Sequence, residues 1–174
     1  NLQDKGGKGL FTKELESALL AGEADLAVHS AKDLPTDSPE GLCLSCFLER
    51  EDVRDVLVLR EGVVSPKVLA SGSPRRVAQL KNRFPEANWI EMRGNVETRL
   101  KKIALHEEAD GTILAAAGLR RLGIERYAGL IFEHLNVEEM VPAPGQAAIA
   151  VQTRLGEGHK FSGLGHPATE RAVG

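Results

Sequence analysis

Short strand-like and helix-like segments alternate along this chain, and that alternation confines it to the α/β class. Phe11, Leu15, Ala18 and Leu19 recur at helical spacing, and Gly22 follows as a stop. Residues 25–29 read as a short buried strand, 53–59 as a second and 68–70 as a third. Ser73 then suits a helix cap and Pro74 the first helical position, for a helix reaching about Phe84. Residues 89–92 read as a strand, Asn95 caps a helix to about His106, and 111–116 form a further strand. A helical turn over 119–122 and a final strand over 147–152 complete the pattern. The Pro/Gly-rich stretch Pro142-Ala143-Pro144-Gly145 and the acidic stretch 49–55 read as crossings between domains. Two crossings predict one domain inserted in another: residues 54–141 within a domain built from 1–50 plus 145–174.

The net charge of -3 excludes a protein that coats nucleic acid. Its distribution is more informative. Eleven Lys/Arg stand against seven Asp/Glu between Arg75 and Arg126, whereas the first fifty-five residues lean acidic. A cationic half on an acidic chain points to a small anionic ligand. No apolar run approaches the roughly 20 residues that span a bilayer, and the N-terminus has no signal-peptide pattern. It also lacks an initiator Met, as a chain cut at its start would. The two cysteines, Cys43 and Cys46, have no second pair and no nearby His to complete a metal site, so they read as half-buried thiols at a strand end. The lack of a disulfide framework fits a cytoplasmic location.

Four segments carry chemistry. In His29-Ser30-Ala31-Lys32-Asp33-Leu34-Pro35, an acid and a base follow a buried strand, where open α/β sheets place ligands; the same residues also suit a plain turn. Ser71-Gly72-Ser73-Pro74-Arg75-Arg76 sets two arginines in a helix's first turn, against the dipole. That is reasonable where an anion joins them, and equally where they are simply solvated. Arg93 and Arg99 flank the next strand end in Arg93-Gly94-Asn95-Val96-Glu97-Thr98-Arg99, and Arg120-Arg121 follow another. Three strand ends bearing arginine describe a cleft lined with guanidinium groups, suited to carboxylates or phosphates. The Walker pattern and G-x-G-x-x-G are absent, which disfavours nucleotides. Lys5-Gly6-Gly7-Lys8-Gly9 reads as a phosphate-cradling loop or a flexible lid.

Taken together, these segments resemble the porphobilinogen deaminase family. Residues 7–16 are similar to the segment after its mobile loop, and 28–36 resemble its catalytic-aspartate motif. Residues 93–100 and 116–123 are similar to two more motifs, in the family order. The resemblance implies two domains like those of type II periplasmic binding proteins, with mixed sheets flanked by helices and an active cleft between them. It implies a hydroxymethylbilane synthase, a transferase of tetrapyrrole and heme biosynthesis. Such an enzyme joins four porphobilinogen molecules and releases ammonia from each. Asp33 would be the catalytic carboxylate, beside the electron-poor azafulvene cation that forms when ammonia leaves. Arg75, Arg76, Arg93, Arg99 and Arg121 would bind the acetate and propionate arms, with Ser30, Lys32, Ser71, Ser73, Gly145 and the loop lysine Lys8 as companions. The partners implied are porphobilinogen and linear oligopyrroles, with no nucleic acid and no membrane. The family is usually monomeric.

The resemblance also implies a dipyrromethane cofactor, held by a thioether to a cysteine in a third, C-terminal domain. That cysteine's Gly-Gly-Cys motif is not in this sequence, and neither Cys43 nor Cys46 sits in one. The expectation is therefore a fragment lacking the family's N-terminal strand and its cofactor-carrying domain. Its exposed sheet edges would favour association. The alternative function is a catalytically incomplete module that binds a polycarboxylate or tetrapyrrole.

Overall fold

The computed structural model describes residues 10–174. These divide into two compact units, one from residues up to Glu51 plus Pro144–Gly174, the other Asp52–Ala143.

The first unit is built on a three-stranded antiparallel sheet in the order β1-β8-β2. Its elements are α1 (Leu10–Leu20), β1 (Ala27–Ser30), β2 (Leu42–Phe47), β8 (Ile149–Arg154) and α5 (Pro167–Val173), with 3-10 turns at Ala31–Asp33 and Gly158–Leu164. The central strand β8 is nearly all buried, while β1 alternates buried and exposed residues as a half-buried edge strand does. Leu19 of α1 packs with Ala27 and Leu42 in one apolar cluster, and Phe47, Ala148 and Ala150 form another. Beneath β1 a buried polar chain crosses three elements: His29 Nε2 lies 3.0 Å from Gln152 Oε1, and Gln152 Nε2 donates to Glu16 Oε1 at 3.3 Å. These three buried side chains thereby find hydrogen-bond partners within the unit.

The second unit holds a five-stranded mixed sheet in the order β5-β4-β6-β3-β7. Its elements are β3 (Asp55–Arg60), β4 (Val68–Ala70), α2 (Pro74–Leu80), β5 (Asn88–Ile90), α3 (Val96–Ala104), β6 (Gly111–Ala115), α4 (Ala116–Arg121) and β7 (Leu130–His134). Strand β4 is parallel to β5 and β6, and β3 is antiparallel to β6 and β7. The central strands are continuous apolar runs, because helices cover the sheet. Val56, Val58, Leu100, Leu114 and Leu119 pack in one cluster, and Leu57, Leu69, Leu80 and Ile113 in another. Asp110 ties the β3, β4 and β6 ends together. Its Oδ2 accepts from the amides of Lys67 and Val68 at 2.8 and 3.0 Å, and its Oδ1 from Arg60 at 3.0 Å.

Several local expectations shift. The helix opened by Pro74 ends at Leu80, short of Phe84, because Lys81–Pro85 turn rather than extend it. Ser73 occupies the cap position but makes no side-chain cap bond; its own amide donates to Ser71 Oγ instead, at 3.2 Å. Asn95 does cap α3, accepting from the Thr98 amide at 2.8 Å. Cys43 and Cys46 lie within β2 rather than at a strand end.

Candidate anion site and the aspartate turn

The sheet topology of the second unit gathers the arginines. Since β5, β4 and β6 run parallel, their carboxyl ends share one edge of the sheet. The segments leaving that edge carry Arg75 and Arg76 after β4, Arg93 and Arg99 after β5, and Arg121 after β6. Strand β3 runs the other way, and its first residue, Asp55, pairs with Ala115 at the end of β6. An acid is thus delivered to the same rim.

Asp55 is fully buried, and both its oxygens are occupied. Oδ2 accepts from Arg75 Nη2 at 2.6 Å. Oδ1 accepts from Arg76 Nε at 3.1 Å and Nη2 at 2.7 Å. A backbone carbonyl takes a second group of each guanidinium: Arg76 Nη1 donates to Ile113 O at 3.0 Å, and Arg75 Nη1 donates to Val141 O. The sequence left open whether an anion meets these two arginines or water does. An anion does, and it belongs to the chain. Sequence reasoning passed over Asp55, which lies twenty residues away on another strand. The signal was an acid opening an otherwise apolar strand, where an unpartnered carboxylate would be costly.

Arg99 belongs to the same cluster. Its Nε donates to Gly94 O at 2.8 Å. Burial lowers its pKa, the nearby charge of Arg76 lowers it further, and Glu91 opposes both. Gly94 has φ +124°, and a Cβ there would meet the Thr98 side chain at 2.8 Å, so the tight turn leading into α3 requires glycine. Arg93 stands apart: its side chain is 80% exposed, with Nε 3.8 Å from Glu91. Arg121 is exposed in the last turn of α4. Its neighbour Arg120 lines a separate cavity of about 390 Å³ with Arg54, Asp52, Leu119, Phe132 and His134. There Arg54 grips Asp52 through Nε and Nη2, and this pairing is the main cause that holds the Asp52 carboxyl below its usual range.

In the first unit, Ser30 ends β1, and Lys32 and Asp33 lie in the 3-10 turn that follows, with Asp33 exposed. Gly145 is packed against this turn. It has φ +66°, and a Cβ there would stand 3.1 Å from Ala31 C, Ala31 Cβ and Lys32 N. The segment is held from both sides: the Ala31 amide donates to Ala148 O at 3.0 Å, and Arg50 Nε donates to Gln146 O at 2.9 Å. Ala147, at φ +71°, is a non-glycine residue in the left-handed region. Backbone strain of this kind collects at functional sites. Lys8 lies outside the described residues.

The Cys46 thiol is a poor nucleophile. Cys46 is buried, with Sγ 3.6 Å from Phe161 O; burial, then Glu170, raises its pKa. Cys43 Sγ lies 3.7 Å from Thr153 Oγ1. Among the described residues, no group of three His, Cys, Asp or Glu side chains is placed to hold a metal ion. No described helix is long and apolar enough to cross a membrane.

Comparisons with known proteins bear on this arrangement. Among solved structures, a Corynebacterium glutamicum OxyR C206 mutant superposes with a TM-score of 0.57 at 17% identity, over 93% of this chain and 54% of that one. The BenM effector-binding domain with benzoate gives 0.51 at 13% identity, over 90% and 78%. The VFT2 domain of Bordetella pertussis BvgS gives 0.50 at 22% identity, over 87% and 64%. These likenesses show the fold: mixed sheets flanked by helices, as in type II periplasmic binding proteins. By sequence, the chain is 47% identical to a porphobilinogen deaminase of Syntrophomonas wolfei subsp. wolfei over 157 residues, 87% of this chain and 50% of that protein. It is 46% identical to the porphobilinogen deaminase of Pelobacter propionicus over 179 aligned positions, 99% of this chain and 56% of that protein. The chain thus spans about half the length of these curated relatives. The family description "Porphobilinogen deaminase, dipyromethane cofactor binding domain" matches residues 1–160. Ordered motifs, fold and identity agree, and the chain belongs to the porphobilinogen deaminase family.

Proposed function

We propose that this chain forms the pyrrole-handling part of a hydroxymethylbilane synthase, which condenses four porphobilinogen molecules in a row and releases ammonia at each step. The observation that carries the reading is the guanidinium cluster: Arg75 and Arg76 share one buried carboxylate at one sheet edge, and the charge of Arg76 acts on Arg99 beside them. Planar guanidinium groups gathered in this way suit a ligand bearing an acetate and a propionate on every ring. Arg93 and Arg121 extend the positive rim, and the Ser71–Ser73 turn adds hydroxyl groups beside it. Asp33, exposed on its turn, is the carboxylate that meets the pyrrole N–H. It also stabilises the positive charge that develops when ammonia departs. Ser30 and Lys32 flank it, Gly145 packs against the turn, and Lys8 is a companion by resemblance to the family.

The same cluster fits the dipyrromethane cofactor, whose rings carry the same acidic arms. When bound, that group supplies the terminal ring to which new pyrroles are added. Neither cysteine described here is suited to attach it, since Cys46 is buried with a raised pKa and Cys43 is taken up in the β2–β8 pair. The guanidinium cluster by itself also serves a second reading, a polycarboxylate-binding module without turnover of its own.

A hybrid enzyme separates the two. Residues 1–174 replace the matching segment of the Pelobacter propionicus enzyme, and porphobilinogen consumption and ammonia release are measured. The synthase reading expects turnover, lost on Asp33→Ala while primer attachment persists. A folded hybrid that carries the primer and binds oligopyrroles yet releases no ammonia supports the binding module instead.

A further inference from the structure

We propose that Asp55 is a positioning residue of the anion site: its buried carboxylate aims the guanidinium groups of Arg75 and Arg76 and fixes their spacing, so that the site selects paired carboxylates on a rigid pyrrole chain over single anions. This inference rests on the reading that these arginines bind the acidic arms of the ligand.

The geometry separates positioning from simple charge balance. A buried carboxylate needs a partner, and one arginine in a two-pronged fork supplies it. Here each oxygen holds a different arginine: Oδ2 holds Arg75 at 2.6 Å, and Oδ1 holds Arg76 at 2.7 and 3.1 Å. Each guanidinium is planar, and each is pinned at a second point by a backbone carbonyl, Val141 for Arg75 and Ile113 for Arg76. Two anchor points fix the plane of a rigid group. Asp55 itself cannot drift, because it opens β3 in register with Ala115 and is wholly buried. The two arginines retain surface, with 24% and 11% of their side chains exposed. The result is a pair of cations held at a set separation. Recognition of two carboxylates at a matching separation follows from that arrangement, whereas a single small anion gains little from it.

The test uses the 174-residue chain and two probes, a synthetic dipyrromethane bearing acetate and propionate arms, and inorganic phosphate as a point anion. Affinities are measured by calorimetry in the parent chain, Asp55→Asn, Arg75→Ala and Arg76→Ala, with the Tm of each. Asp55→Asn keeps the shape and removes the charge. The expected result is a tenfold or greater loss of dipyrromethane affinity with less than threefold loss for phosphate, so that the ratio of the two collapses. An unchanged ratio overturns the proposal and leaves Asp55 with a role in folding alone, whatever happens to Tm. Tighter dipyrromethane binding also overturns it, because Asp55 would then be competing with the ligand. If Asp55→Asn does not fold, Asp55→Glu retains the charge and shifts the fork by one methylene. The same fall in ratio is expected there, and an unchanged ratio overturns the proposal. Arg75→Ala and Arg76→Ala must each weaken dipyrromethane binding. If they do and Asp55→Asn does not, only the role of Asp55 fails; if they do not, the arginine site of the proposed function fails with it.

Discussion

Substituting Gly145 by alanine should destabilise the first unit by about 2 to 3 kcal/mol, through two costs that add. The left-handed backbone, at φ +66°, costs a non-glycine residue about 1–2 kcal/mol. The new Cβ would also stand 3.1 Å from three atoms of Ala31 and Lys32, two of them backbone, so the neighbours must move by tenths of an ångström. Crowding of that kind adds about 1 kcal/mol or more. The displaced atoms belong to the turn that carries Asp33, so the change should also weaken whatever Asp33 holds. The assay has to report on the right unit. Trp89 and Tyr127 are the chain's sole Trp and Tyr, and both lie in the second unit, so their fluorescence is uninformative. Amide hydrogen exchange at His29 and Ala150, the hydrogen-bonded pair of the β1–β8 ladder, reads the first unit directly. Protection there should fall by the stated amount. A change under about 0.5 kcal/mol would refute the reasoning, since it would mean that the turn relaxes freely around a side chain.

Other expectations follow from the same structure. Ala147→Gly relieves the left-handed strain at φ +71° and should stabilise the first unit by up to about 1 kcal/mol after the entropy of glycine is subtracted, by the same exchange measurement. Arg99→Met should leave the thermal stability of the second unit equal to or above the parent's, because a half-buried cation beside Arg76 is removed, while dipyrromethane affinity falls. Burial pushes the Asp110 carboxyl up, but the amides of Val68 and Lys67, Arg60 and His106 outweigh it and leave the pKa below the ordinary value. Its contribution is therefore fully present above the unfolded carboxylate pKa of about 4 and is lost as pH falls through the lower native value; Asp110→Asn should flatten this acid limb. Glu157 is held down to about 2, chiefly by Arg154 and then by Lys160. Carboxyl NMR should find its midpoint near that value, and Arg154→Met should return it toward the ordinary range.

Much of this arrangement was legible in the sequence, for identifiable reasons. The strand–helix alternation located α1, β3, β4, α3 and β6, because each has a clear apolar period and a punctuating Gly, Pro or Asn. Strand β2 was missed, since a bulge between Leu44 and Cys46 breaks its alternation. Strand β7 and helix α5 were missed as well: β7 is a half-exposed edge strand, and α5 is a single short run after Pro167. The arginines were found from their positions after strand ends. What they bind locally was not, because the antiparallel course of β3 decides it: that pairing, and no local pattern, brings Asp55 to the same edge. The packing of Gly145 against the Asp33 turn was hidden for the same reason, more than a hundred residues separating the two.

A crystal structure of this chain with the synthetic dipyrromethane bound would test the central claim most directly. Acetate or propionate oxygens are expected on the guanidinium groups of Arg75, Arg76 and Arg99. A ligand seated elsewhere, such as the cavity between Arg54, Arg120 and His134, would contradict that claim.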